Sequence, residues 1–210
     1  MNEMSKKETP LQFLKQFIPE GSYDLLNPFF EEHTIYLTLT RERKTVLGDY
    51  RSPSKEKPFH RISVNISLNK YSLLITLLHE LAHLTTWIEY HHKVSPHGNE
   101  WKNHFQRILM PFSGKGFFPL EVEHALRDYL KNPAASTCTD PILFKALYQY
   151  DIPKKGYKLI DDIVIGEQFI TEKGKIFKKI KEHRSRSRCI EITTGKFYLF
   201  PGIIEVKTVN

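Results

Sequence analysis

The chain has 210 residues, 40% hydrophobic and 12% aromatic, enough apolar material for one or two packed domains and too much for a mainly disordered protein. Its formal charge of +7 fits either a plain basic protein or one that meets an acidic partner such as nucleic acid. Two cysteines exclude a disulfide framework and a four-cysteine zinc ribbon, and no run approaches the roughly 20 apolar residues of a membrane span. The first eight residues are polar and lack the apolar stretch of a secretory signal, so a cytoplasmic protein is expected, with nucleoid association compatible.

Leu11, Leu14, Phe17 and Ile18 recur at helical spacing after Thr9-Pro10, a cap followed by the residue best suited to the first helical position. Pro19-Glu20-Gly21 ends that helix, and Leu25, Leu26, Phe29 and Phe30 suggest a second. Thr34 to Thr40 alternates and is rich in β-branched residues, as a strand would be. Lys44 to Arg51 and His60 to Ser67 read as two more strands, separated by a polar turn at 52–58. A small three-stranded sheet therefore comes before a long helix, expected from Lys70 to His91. Leu73, Leu74, Leu77, Leu78, Leu81, Leu84, Trp87 and Ile88 cover most of its circumference, which marks a buried helix.

That helix contains His79-Glu80-Leu81-Ala82-His83. Residues i and i+4 share one helix face, so His79 and His83 can offer two imidazoles to one metal ion. Glu80 is turned about 100° away, close enough to act on water at the metal without being a ligand. Two histidines and a carboxylate inside an apolar helix need partners, because unpaired buried polar groups cost several kcal/mol. Catalytic zinc takes a third protein ligand. Thr86 and Glu89 stand where a metzincin needs Gly and His, which excludes that class. By position, two residues remain: Glu100, within an Asn-Glu pair as in thermolysin-like enzymes, and His97, where Gly98 lets the backbone turn in tightly.

Beyond the loop at 91–98, Asn99 can cap a helix carrying Trp101, Phe105, Ile108 and Leu109 on one side. A further amphipathic helix runs from Leu120 to Leu130. Residues 134–139 are small and polar, as a linker would be, and Pro141 to Tyr150 reads as a bridging helix. From Gly156 onward the pattern is of short strands punctuated by Lys173-Gly174, Thr194-Gly195 and Pro201-Gly202, as in a small antiparallel barrel or meander.

The paired stretches Leu77-Leu78-His79-Glu80-Leu81-Ala82-His83 and His97-Gly98-Asn99-Glu100-Trp101 resemble the SprT-like (Spartan-type) metalloprotease domain. Leu47-Gly48, Tyr50-Arg51, Ile62, Val64 and Asn65 agree with it, and the likeness covers roughly Gln12 to Leu130. The resemblance implies that His97 is the third zinc ligand, that one catalytic zinc is bound, and that the activity is peptide hydrolysis on proteins crosslinked to DNA. Under that reading Glu80 is the general base and later returns its proton to the leaving amine. Tyr50, Arg51, Tyr90, His91 and His92 are candidates by position for a second oxyanion donor, while His104 and His124 are expected at the surface or behind the ligands, and His33, His60 and His183 carry no signal.

Many SprT-like proteins carry a zinc ribbon after the protease domain; here a basic stretch from Lys173 to Arg188 stands in its place. Arg184, Arg186 and Arg188 are two apart, so on one strand they would share a face at intervals of about 6.6 Å. With Lys178, Lys179 and Lys181 they form the candidate nucleic-acid surface, for single-stranded or damaged DNA. Phe177, Phe197, Tyr198 and Phe200 are expected mainly in the core of this segment rather than stacked on bases. The expected architecture is α+β: a zincin-like metalloprotease core at 1–132, a linker and bridging helix at 133–155, and a small basic β-barrel-like domain at 156–210. The expected function is a zinc-dependent endopeptidase acting on DNA-associated or DNA-crosslinked proteins; the rival is a non-catalytic DNA-binding adaptor whose zinc only holds the fold.

Overall fold

Alternation of apolar residues builds the first sheet. Strands β1 (Ile35–Thr40), β2 (Gly48–Arg51) and β3 (His60–Asn65) lie in the order β1-β3-β2, with β1 parallel and β2 antiparallel to β3. Leu37, Ile62 and Val64 fall on one face of the pleat and are buried. The computed structural model describes residues 10–41, 46–133 and 140–209 and divides into two units, Met1–Asp151 and Ile152–Asn210. The Thr9 cap, Lys44 at the expected start of the second strand, and the linker at 134–139 lie outside the described residues.

Helix α1 (Tyr23–Glu32) precedes the sheet and α2 (Lys70–Tyr90) follows it. The Asn69 side chain caps α2 by accepting from the backbone N–H groups of Tyr71 and Ser72. From Leu73 to Ala82 every side chain of α2 is buried, as its leucine-rich circumference requires. Each buried leucine contributes about 1.5–3 kcal/mol, so the helix is held by packing on all sides. Helices α3 (Asn99–Leu109), α4 (Leu120–Tyr129) and α5 (Pro141–Tyr148) complete this unit. The segment Leu11–Gln16 is a 3-10 helix rather than the expected α-helix. Six residues ahead of a Pro-Glu-Gly turn suit that tighter coil, and Leu14 still reaches the core.

The helix read as a bridge packs into the first core through Leu143, Ala146 and Leu147. Asn69 Nδ2 also donates to the Leu147 carbonyl at 3.0 Å, tying the end of α5 to the start of α2. Unit 1 therefore extends to Asp151, past the boundary at 132 read from the sequence. No helix among the described residues is long and apolar enough to cross a membrane.

Unit 2 is one antiparallel sheet of β4 (Tyr157–Leu159), β5 (Gln168–Ile170), β6 (Ile176–Glu182), β7 (Arg186–Glu191), β8 (Phe197–Pro201) and β9 (Glu205–Thr208). Their order is β4-β9-β5-β6-β7-β8. The core is small: Ile160, Ile163, Phe169, Phe177, Cys189 and Val206, with Phe200 against it. At its edge lies Lys179, wholly buried. Its Nζ donates to the carbonyls of Ile160 (2.9 Å), Asp161 (3.2 Å) and Ile163 (2.7 Å) and pairs with Glu182 at 2.6 Å. One ammonium thus satisfies a whole turn of backbone that a core of this size cannot otherwise cover. Replacing Lys179 by Met should remove the ammonium these carbonyls share, leaving Ile160 O with its bond from the Ile163 N–H, and destabilise unit 2 by about 3 kcal/mol. Urea unfolding followed by Tyr fluorescence checks this, and an unchanged midpoint would refute the assignment.

Candidate metal centre

His79 and His83 stand one turn apart on α2, and the third imidazole comes from the loop before α3. His97 takes φ +59°, an uncommon left-handed conformation for a non-glycine residue, which turns its ring back toward α2. Gly98 follows in extended geometry, and a Cβ there would stand 3.0 Å from the Ser95 carbonyl and 3.1 Å from Glu100 Oε2. The three Nε2 atoms converge: His79 to His97 is 3.1 Å, His79 to His83 is 3.2 Å and His83 to His97 is 2.9 Å. Glu100 is not part of this cluster.

Burial, then the neighbouring imidazoles, lowers the pKa of His79 to about 3 and of His83 to about 4, and burial lowers that of His97. All three rings are therefore neutral near pH 7. Three neutral nitrogens crowded around one point cannot satisfy one another with three straight hydrogen bonds. They suit a cation instead: nitrogens at about 2.0–2.1 Å from a tetrahedral zinc stand about 3.3 Å apart, close to what is seen. The donor set fits a metal ion.

Trp101 and Phe105 of α3 back the cluster. The Trp101 ring lies 4.6 Å from His79 and 4.8 Å from His97, and it stacks on Phe105 at 5.1 Å. This aromatic packing restricts the imidazoles of His79 and His97.

Glu80 points elsewhere, toward the edge of the sheet. Its carboxylate accepts the backbone N–H of Tyr50 and lies so close to Gly48 that a Cβ there would collide with it and with Thr76 Cγ2. Gly48 is required because a side chain from α2 occupies the space. Burial, with Asp49 nearby adding its charge, raises the Glu80 pKa to about 8. A carboxyl so placed holds or releases a proton near neutrality.

The cluster opens into a cleft of about 1040 Å³, walled by β2, the loop after it, α2 and the loop before α3. Arg61 Nε, Trp87 Nε1 and Trp101 Nε1 are buried in its walls with no protein acceptor among the described residues. Of the five positions considered for an oxyanion donor, Tyr50 lies nearest the cluster: its ring is parallel to His83 at 6.3 Å. Its hydroxyl is 2.9 Å from His60 Nδ1, and burial raises its pKa. Arg51 is engaged by Asp49 at 2.8 Å. His91 and His92 are exposed, edge-on to Trp87 at the cleft mouth. Tyr90 is bonded to Glu89 and does not line the cleft.

Sequence reasoning gave Asp49 and His60 no part in the site and quoted Gly48 only for the family likeness, because their contacts join distant segments. Of the two places expected for His104, the surface is ruled out. His104 is buried between α2 and α3, with Thr85 at 2.9 Å, Arg107 at 3.1 Å and Glu89 at 3.1 Å, while His124 is exposed.

In unit 2 the basic residues divide. Arg186 and Arg188 point outward from β7, but Arg184 lies in the turn before that strand and does not share their ladder. Lys178 and Lys181 belong to β6 and face outward, whereas Lys179 is buried and cannot contact nucleic acid. Phe177, Tyr198 and Phe200 cluster together by their rings on the inner side, and Phe197 alone of the four lies outside.

Unit 1 is thus an α+β unit whose three-stranded sheet stands beside a cluster of three histidines, two from the buried helix α2 and one from the loop before α3. Residues 21–124 match the model of the SprT-like family, so the chain carries a SprT-like domain. That family is generally one of zinc-dependent metalloproteases. No curated protein and no solved structure matches the chain. His97→Ala should abolish stoichiometric metal retention, while Glu100→Ala should keep it. Metal analysis after dialysis against a weak chelator decides, and retention by His97→Ala would name a different third ligand.

Proposed function

We propose that the chain is a zinc-dependent endopeptidase of SprT-like type whose unit 1 is a zincin-like core. The observation that carries this reading is the pairing of three converging Nε2 atoms with a buried carboxyl that is not part of their cluster. A purely structural zinc site has no use for such a carboxyl and is usually closed by four protein ligands. Zinc held by His79, His83 and His97 would supply a Lewis acid that acidifies water and polarises a peptide carbonyl.

The chain's own residues do the rest. Tyr50 N–H fixes one side of the Glu80 carboxylate against β2, so its proton-accepting oxygen is aimed rather than free to rotate. Glu80 takes a proton from the attacking water and delivers it to the leaving amine. The Tyr50 ring lies parallel to His83 and the Trp101 ring packs near it.

The second part of the proposal concerns where substrates are found. Residues 152–210 carry thirteen Lys and Arg against seven Asp and Glu, a net +6 of the chain's +7. Such a concentration of positive charge favours a nucleic-acid partner, and proteins bound or crosslinked to DNA are the proposed substrates. Glu80→Gln should keep the metal and the fold but lower cleavage of a DNA-bound protein by about 10²–10⁴-fold. Cleavage is followed by gel electrophoresis with metal content measured on the same samples. Equal cleavage by the variant, or none by metal-loaded wild type with single- and double-stranded DNA, would sink the enzyme reading.

A further inference from the structure

The outward face of the β6–β8 sheet mixes cations and apolar side chains in register. In one row Lys178 lies beside Ile190, which pairs with Phe197; in the next Lys181 lies beside Arg188, which pairs with Leu199. Arg186 follows two residues along β7. Successive rows are about 6.6 Å apart along the strands. Phe197 is 53% and Leu199 55% exposed. The Arg188 guanidinium lies over the Phe197 ring at 3.9 Å from its centre, presenting a flat, charged outer surface. None of Lys178, Lys181, Arg186 and Arg188 has a carboxylate partner among the described residues.

Cations left unpaired side by side repel one another, and a polyanion relieves that repulsion. The apolar members decide which polyanion. A duplex keeps its base faces stacked inside and offers this surface only phosphates and groove edges, leaving Phe197 and Leu199 uncovered. An unstacked strand offers base faces as well. We propose that this face binds single-stranded nucleic acid, with Lys181, Arg186 and Lys178 along the phosphates and one base stacked on the Arg188–Phe197 pair. The inference rests on the reading that unit 2 meets nucleic acid; it adds the face and the stacking pair, and from them a reason to prefer a single strand over a duplex.

Fluorescence anisotropy with the full chain tests it, using a labelled 16-nucleotide oligothymidine and a 16-base-pair duplex between 50 and 200 mM NaCl. The single strand should bind at least about tenfold more tightly than the duplex. Phe197→Ala should weaken single-strand binding by about 5–100-fold with the salt slope unchanged. Lys181→Ala with Arg186→Ala should instead flatten the slope by about 1.4, near 0.7 per lost phosphate contact. Lys158→Ala, on β4 and away from this face, is the control and should change neither quantity beyond the loss of general charge. Equal or tighter duplex binding, or full single-strand affinity in Phe197→Ala, overturns the inference while leaving unit 2 a nucleic-acid binder. Binding of neither oligonucleotide overturns both.

Discussion

Everything in unit 1 answers to one constraint: polar groups inside a helix that is apolar on every side. His79 and Glu80 are 8% and 5% exposed, and water reaches them only from the cleft. The chain meets this by sending different partners to different faces of α2. The loop carrying His97 arrives from one side under left-handed strain, which costs about 1–3 kcal/mol and persists because Trp101 and Phe105 pack it in place. The edge strand β2 arrives from the other, offering the Tyr50 N–H to Glu80 while Gly48 leaves the carboxyl room. The histidines are thereby kept neutral and the carboxyl is kept protonatable. Separate environments for adjacent residues are what a hydrolytic site needs from its scaffold.

Unit 2 solves a similar problem with less material. Six buried apolar residues and a phenylalanine cannot cover the turn at 160–163, so Lys179 is drawn inside to satisfy its carbonyls. This spends one positive charge on the fold and leaves the remaining cations to the outer face. The same strand therefore serves stability with one lysine and surface chemistry with its neighbours.

How much of this was legible in the sequence depends on how local the cause is. The leucine run gave α2 directly, and i,i+4 spacing paired His79 with His83. His97-Gly98 was legible only as one of two options, because choosing between it and Glu100 requires knowing which way a loop turns. The hold of β2 on Glu80 was not legible at all: Gly48 and Glu80 are far apart in the chain and meet through tertiary packing. Lys179 misled for a physical reason. Strict alternation would put Lys179 and Lys181 on one face, but the irregularity between them pairs Lys179 with Cys189 and Lys181 with Arg188, sending one inward and the other outward. Arg184 was assigned to the arginine ladder because spacing of two looks like a strand even where the chain is turning.

The central claim is that one zinc ion sits on three imidazoles with Glu80 beside it and not on it. X-ray absorption at the zinc edge of the metal-loaded full chain tests this most directly. The account predicts nitrogen and oxygen scatterers only, at about 2.0–2.1 Å, with outer-shell scattering from three imidazoles, unchanged in Glu80→Gln. A sulfur scatterer near about 2.3 Å, fewer than three imidazoles, or a spectrum altered by Glu80→Gln would contradict it.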